Sequence, residues 1–351
     1  MIRLVATLCT ALLLPACGSK SPDDGGRETR RPRNEVRVAT HGLPGSVDER
    51  NWQRFVANVE VWAPEFRLEL LTVEGDGAST VGDPLEEARS GRIQIASLTL
   101  AEAAAAVPEV AILSVPYLFD SPEEADYVLD EVLLEPFRRL FAERDLRLLQ
   151  WVDVGWTQLY SREPWLEPGQ VAGARLAAVP SLASQAFVAS LSAELVPAPA
   201  APGLLSGLEA GTIDGGVATV VAYAARGLAR EAPHCTLTRH AFEVRVLVAH
   251  RPWFHDLTPH DKGVFEEAFG SAGQARADTR GAAAATVARL EAEGVRVHRL
   301  SPDQRRTWAT ASSEAQPGII AQAGGRAQEI HDLVLAGKAA FAAREQPGSS
   351  D

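Results

Sequence analysis

VAILSVPYLFDSPEEADYVLD, residues Val110–Asp130, is the stretch from which the rest of the chain is best read. Its first half is an apolar run that water would exclude. Pro116 bends it, and Tyr117-Leu118-Phe119 form a turn packed on a core. Asp120-Ser121-Pro122 then has the chemistry of a helix N-terminus, an oxygen acceptor followed by a proline with no N–H to leave unpaired. The spacing predicts a helix over Pro122–Arg144, then a strand over Arg147–Val152.

Upstream the segments alternate. Val36–Thr40 reads as a strand, and Asp48–Trp62 carries Trp52, Phe55, Val56 and Val59 at helical spacing, with Trp62 expected on the same buried face. Phe66–Val73 is a second strand, Pro84–Ser90 a short helix ended by Gly91, and Ile93–Ser97 a third strand. This β-α-β-α-β order implies a parallel sheet with right-handed crossovers. Downstream a second α/β set begins near Gly155: strand Arg175–Ala178, helices Leu182–Ser192 and Leu204–Ala210, then Ile213-Asp214-Gly215-Gly216. Val244–Ala249 is an almost unbroken apolar strand of the kind buried on both faces. Thr258–Ala292 is helical and Ala-rich, followed by a strand over Val295–Leu300. Two α/β lobes leave a cleft outside the carboxyl ends of their strands, where ligands of open α/β sheets sit. The loops at His41, Gly75, Ser97, Gly155 and Gly215 are its candidate walls.

The N-terminus sets the compartment. Arg3 followed by the apolar run Leu4–Leu14 is too short for a bilayer core of ~30 Å, which needs ~20 residues, and has the make-up of a signal peptide. It ends in Leu14-Pro15-Ala16-Cys17, which looks like a lipobox with Cys17 as the lipidated first residue. The alternative is an ordinary signal peptide cut after a small residue. Gly18–Asn34 is polar and aperiodic, a composition that cannot bury a core and suits a tether. The domain plan is therefore a leader over 1–16, lipidated Cys17 and tether over 17–34, lobe I over 35–153 with part of 245–290, and lobe II over 154–244 with part of the C-terminal region. A C-terminal segment over 291–344 packs on the lobes, and 345–351 is a frayed tail.

A net charge of -12 argues against nucleic acid, whose phosphates want a basic face. With Cys17 modified and Cys9 removed, Cys235 is the one remaining thiol, so neither an intrachain disulfide nor a Cys metal cluster is expected. His250, His255 and His260 are read as surface histidines, because a spacing of five does not stack on one helix face. No phosphate loop, Gly-x-Ser-x-Gly or His-Glu-x-x-His occurs. No catalytic group, metal or cofactor is expected, and the chain is not read as an enzyme.

In order and spacing these segments resemble the DctP-type solute-binding proteins of TRAP transporters, from about Glu35 to about Leu300. Val110–Asp130 is similar to the family's "LPFLF…A…VLD", and LEAGTIDG at Leu208–Gly215 to "LQ.G.VDG". Val171–Val179 resembles "LKGLKIR", Leu149-Gln150-Trp151 with Gly155 resembles "GWW…G.R", and Thr238–Ala268 resembles "FW..LSPEDQ…A". The resemblance implies an α/β fold of two lobes, periplasmic-binding-protein-like (type II), with the ligand cleft between them. It also implies delivery of a small molecule to TRAP membrane subunits.

The chain departs from that pattern where the family grips its solute. Members usually hold an organic acid with the Arg of "KIR", whose fork pairs bidentately with carboxylate. Here Arg175 falls on the Lys and Ala177 on the Arg, Thr157 stands where a second Arg follows the Gly-aromatic turn, and Gly216-Val217-Ala218-Thr219 replaces a polar segment. A slip of one residue in these short strands would exchange their faces and is one reading. Another is that a different cation has moved in, with Arg245 the best candidate. The third is an apolar wall, where an unpaired carboxylate would cost roughly several kcal/mol, and an apolar or atypical ligand. The missing Arg resembles a subgroup that works with a tetratricopeptide-repeat partner. The candidate ligand-binding residues are Thr40, His41, Trp156, Thr157, Ala177, Val217, Thr219, Tyr223 and Arg245; Trp156 could stack on a ligand or pack in the core. A surface lipoprotein that kept the fold and lost its solute is the rival, and it predicts a cleft filled by side chains such as Trp156.

Overall fold

In EVRVAT, Val36 and Val38 alternate with Glu35 and Arg37, and that two-residue period makes β1 (Glu35–Thr40) with its valines inward. The computed structural model describes residues 34–42, 45–73, 81–198, 201–270 and 272–345. The leader, Cys17, the tether, the Gly75 loop and the tail beyond 345 lie outside the described residues.

After β1 the chain forms α1 (Val47–Trp62), β2 (Arg67–Thr72), α2 (Pro84–Arg89), β3 (Ile95–Thr99) and α3 (Leu100–Ala104). A 3-10 turn over Pro108–Ser114 leads to α4 (Pro122–Tyr127), a π-turn over Val128–Leu133 and α5 (Leu134–Ala142). Ser121 caps α4 by accepting from the Glu124 N–H, which is the helix start expected at Asp120–Pro122. Next come β4 (Leu146–Ser161), β5 (Arg175–Ala178), α6 (Leu182–Ser190), β6 (Glu194–Pro197), α7 (Ala201–Glu209), β7 (Gly215–Thr219), α8 (Val220–Ala225) and β8 (His234–His250). The chain ends in α9 (Arg251–His255), α10 (Pro259–Glu267), α11 (Ala272–Ala292), β9 (Arg296–Arg299), α12 (Pro302–Ser313), α13 (Gln316–Ala323) and α14 (Ala327–Glu345). No helix among the described residues is long and apolar enough to cross a membrane.

The strands make one nine-stranded sheet in the order β2-β1-β3-β8-β4-β7-β5-β6, with β9 beside β8. β1 lies between β2 and β3 in a parallel trio, and β5 lies between β6 and β7 in a second. Between the trios run β8 and β4, antiparallel to each other and to their outer neighbours.

Here the structure departs from the sequence reading. The expected strands Arg147–Val152 and Val244–Ala249 are only parts of β4, 16 residues long, and β8, 17 residues long. Gly155 does not open a new set of elements. It sits inside β4 at a φ of +104°, where the register with β8 shifts between Asp153 and Gly155. Such a bulge bends a strand without ending it, and only glycine takes that φ without strain. The sequence signal of a break was therefore real, but the ladder bridges it.

Each half of the sheet is covered on both faces. Successive residues of β8 face opposite cores: Val246 and Val248 join Phe119, Phe137 and Trp151, while Leu247 and Ala249 join Trp52, Phe55 and Phe265. Around the second trio, Tyr160, Ala177 and Tyr223 share one cluster, and Leu159, Leu176, Phe187 and Trp308 another. Burial of each large side chain stabilises by about 1.5–3 kcal/mol relative to exposure. Trp62 is the exception to the expected buried stripe of α1, at 41% exposure. The helix ends there, and Ala63 fills the space below it instead. His255 and His260 are exposed as read, but His250 is half-buried with Nδ1 3.0 Å from the Ala88 carbonyl. Cys235 is a buried free thiol in the same cluster as Tyr223, and burial pushes it up to about 12.

α11 packs against β4, α1, α8 and β9, so it touches elements of both halves. Arg280 forks onto Asp126 of α4 at 2.7 and 2.9 Å and reaches Asp153 of β4 at 2.9 Å, while Arg276 forks onto Asp130. Burial pushes Asp153 up to about 6 against the pull of Arg280.

Candidate functional site

The two trios run in opposite directions and pair with opposite ends of β4 and β8, so their carboxyl ends meet midway along these strands, where Thr99 is opposite Arg245 and Thr219 is opposite Thr157. A cavity of about 250 Å³ opens there. One half supplies His41 after β1, Thr99, Leu100 and Ala101 at the β3–α3 junction, and Ser114 and Pro116. The other supplies Val179 and Ser181 after β5, Phe187 and Val188 of α6, Val217, Ala218 and Thr219 of β7, and Arg226 beyond α8. The floor comes from the middle strands, with Val154 and Thr157 of β4 and His240, Phe242, Glu243 and Arg245 of β8.

The Val110–Asp130 stretch is fastened to this floor. Tyr117 takes a φ of +57° and its N–H donates to the His240 carbonyl at 2.6 Å. A non-glycine residue there pays roughly 1–2 kcal/mol in backbone strain, repaid because Ser114 and Pro116 are set against the cavity. A turn read as scaffold is thus also a wall.

The sequence-derived candidates divide into two groups. His41, Thr157, Val217, Thr219 and Arg245 line the cavity. Thr40, Trp156, Ala177 and Tyr223 do not. Thr40 is buried at the end of β1, where its Oγ1 accepts from the Gly42 N–H. Trp156 is the cross-strand partner of Phe242 and meets it edge-on at 5.0 Å, packed against the core, so Phe242 is the ring at the wall. Ala177 is buried with Tyr160, Leu204 and Leu208 behind the wall. Tyr223 lies in the same cluster, its hydroxyl donating to the Ala232 carbonyl at 2.7 Å. Among the candidate walls, Ser97 is buried within β3, which runs on to Thr99, and Gly215 begins β7, leaving Val217–Thr219 at the cavity.

Arg175 is held away from the site. Its guanidinium forks onto Asp214 at 2.8 and 3.0 Å and also donates to the Gly211 carbonyl, and this hydrogen bonding keeps Asp214 below the usual carboxylate range.

His240 is the clearest residue that the sequence reading passed over. It stacks on Phe187 at 4.0 Å with planes 2° apart, and burial drives it down to about 3. Thr157 Oγ1 donates to the Ala241 carbonyl, so it accepts from His240 Nε2, and Thr238 Oγ1 donates to Nδ1. The ring is a neutral, flat part of the wall. Its only sequence signal was a place at the head of the Thr238–Ala268 motif, which carried no role. His41 is tethered through Nε2 to Glu102 at 2.9 Å. Burial raises the Glu102 carboxyl, but the hydrogen bonds from His41 and Thr99 outweigh it and hold it below its ordinary value. Arg245 pairs with Asp48 of α1.

A model described as "Bacterial extracellular solute-binding protein, family 7" (DctP) matches residues 72–322. A solute-binding protein of Chromohalobacter salexigens is 25% identical over 187 residues, 53% of this chain and 55% of that protein. The chain thus spans about half the length of that relative. The ectoine-binding periplasmic protein TeaA of Halomonas elongata is 22% identical over 71% of this chain and 75% of its own. Among solved structures, a TRAP periplasmic solute-binding protein of Ochrobactrum anthropi superposes with a TM-score of 0.79 at 21% identity, over 89% of this chain and 96% of that one. It was crystallised with its C-terminus in the ligand-binding pocket. At such identities the likeness to that structure speaks for the fold, which is the α/β periplasmic-binding-protein architecture expected from the sequence.

Proposed function

The chain belongs to the DctP family of bacterial extracellular solute-binding proteins, and from that premise we propose that it is the periplasmic receptor of a TRAP-type secondary transporter. Its task is to bind one small solute and pass it to the membrane subunits; it binds and does not catalyse. The cavity of about 250 Å³ between the carboxyl ends of the two parallel trios carries this reading. Both halves contribute walls, so a bound solute gains contacts across the gap. A state with the halves drawn together is then favoured by the differential affinity it offers. The lobe boundaries follow the trios, with β4 and β8 crossing between them.

The solute is a compact molecule with a substantial apolar body. Ala101, Val154, Val179, Val188, Val217 and Phe242 on the wall support this, together with the neutral His240–Phe187 stack. Relatives whose names state a solute include an ectoine binder, so polar solutes belong in any screen. A solute-free surface lipoprotein is disfavoured, because Trp156 packs into the core and leaves the cavity open. Cys17 is the proposed lipid anchor, and a tetratricopeptide-repeat protein is the proposed periplasmic partner beside the TRAP subunits.

Native mass spectrometry of the protein purified from its own periplasm, with thermal shift over apolar amides, aromatic acids, sugar acids, ectoine and lipids, tests the receptor reading. A captured or stabilising solute is the expected result. No response in any class would sink it. Intact-mass analysis of the mature protein reads the anchor directly, as diacylglyceryl mass on Cys17.

A further inference from the structure

We infer that Asp48 determines specificity by neutralising Arg245 at the cavity wall, which leaves a site for an uncharged or cationic solute and rejects carboxylates. This inference deepens the receptor reading and rests on it. Arg245 is the residue best placed to replace the family's missing arginine, since it stands on β8 and lines the cavity. Its guanidinium is already engaged. Asp48, in the first turn of α1, takes it as an ion pair with both side chains mostly buried.

An arginine satisfied by a protein carboxylate offers an incoming carboxylate little. The solute must displace Asp48, or sit as a second anion beside the first, and like charges at that range repel strongly away from bulk water. The rest of the wall points the same way. His41, another group on the wall able to carry positive charge, is tethered to Glu102. Arg226 and Glu243 on the wall are of opposite sign. On the wall, Arg245 thus stands against Asp48 and His41 against Glu102, Arg226 and Glu243 carry one charge of each sign, and the buried His240 is neutral. A solute anion would meet an Arg245 and a His41 that already hold carboxylates. A neutral amide, an alcohol or an ammonium group would not be opposed. Repulsion of the wrong solute is as effective a source of selectivity as attraction of the right one.

The test uses the full-length mature protein and three matched pairs of equal shape: phenylacetate and phenylacetamide, cyclohexanecarboxylate and its amide, indole-3-acetate and its amide. Calorimetry on the wild type should give at least tenfold tighter binding of the amide in every pair that binds. Asp48→Asn frees the guanidinium, and the preference should fall tenfold or reverse. Adding Arg245→Gln to Asp48→Asn should abolish the gained carboxylate affinity, which separates a freed cation from a loosened site. Asp48→Ser, which keeps a hydrogen-bonding residue in the first helical turn, stands in if Asp48→Asn does not fold. A wild type that prefers the acids, or an acid-to-amide ratio unmoved in the Asp48 variants, overturns the inference and leaves the receptor reading intact. A carboxylate recovered from the native protein by mass spectrometry does the same, whereas a neutral or cationic molecule supports it. If neither the six probes nor the native preparation yields any ligand, the receptor reading fails and the inference falls with it.

Discussion

The two parallel trios of the sheet are built alike but meet the cavity differently. β1 is followed by His41, a polar side chain on the wall and fastened to Glu102. β5, the middle strand of the other trio, ends in the sealed Ala177-Ala178 and is followed by Val179, an apolar side chain on the same wall. The first half brings His41 and β8 brings Glu243 and Arg245, while the second half supplies mainly methyl groups and hydroxyls with Arg226 beyond α8 as its charge. Two trios of the same strand arrangement can thus present different chemistry to one cavity, because the residue that follows each strand is set by the local sequence and not by the ladder.

The largest test of this contrast is Ala177→Arg. If β5 is sealed behind the wall, a guanidinium there has no room and no partner, and stability should fall by about 3–5 kcal/mol. Urea denaturation reads this. A loss under about 1 kcal/mol with altered solute binding would mean that the β5 end opens to the cavity, as the sequence alignment first suggested.

A second test falls where the halves join. Asp153 has a native pKa of about 6, above its ordinary 3.8, because it is buried. Between those values the folded chain holds a proton that the unfolded chain has released. This group's contribution to stability therefore declines as pH rises from about 4 to about 6 and is flat above. The span corresponds to about 3 kcal/mol at most. Asp153→Asn removes the dependence, so its melting temperature relative to wild type should climb across that window. A difference constant with pH would show that Arg280 keeps the carboxylate ionised throughout, and that the joint is a plain ion pair.

The smallest effect belongs to Tyr223→Phe. It deletes one buried hydroxyl and leaves the Ala232 carbonyl without its donor, a loss of about 1 kcal/mol. Solute affinity should be unchanged, since Tyr223 lies behind the wall. A tenfold affinity change would place Tyr223 within reach of the solute and blur the contrast between the halves.

Much of the fold was legible because its signals are local. The period of Val36 and Val38, the Ser121-Pro122 cap and the apolar run at Val244–Ala249 report strand, helix start and buried strand from a few neighbouring residues each. The site was legible in part. Residues at or just after strand ends, such as His41 after β1 and Thr219 at the end of β7, could be placed because topology puts strand ends at clefts. Trp156 could not, since the bulge at Gly155 resets which residues of β4 face the floor, and a bulge is a property of two paired strands. Ala177 failed for a related reason: whether the end of a short strand faces a cavity or a core depends on what packs over it, here Leu204 and Tyr160.

For the opening stretch, Val110–Asp130, the order of turn, cap and helix followed from residues adjacent in the chain, and so did the family. Its bond to His240 did not, nor did the pairing of Asp48 with Arg245, 197 residues apart. Nothing local records which carboxylate a guanidinium will meet once the chain has closed. Single strands and helix caps are written in short-range chemistry. The charge that a solute encounters is settled only when distant elements pack, because neutralisation needs the partner within a few ångström.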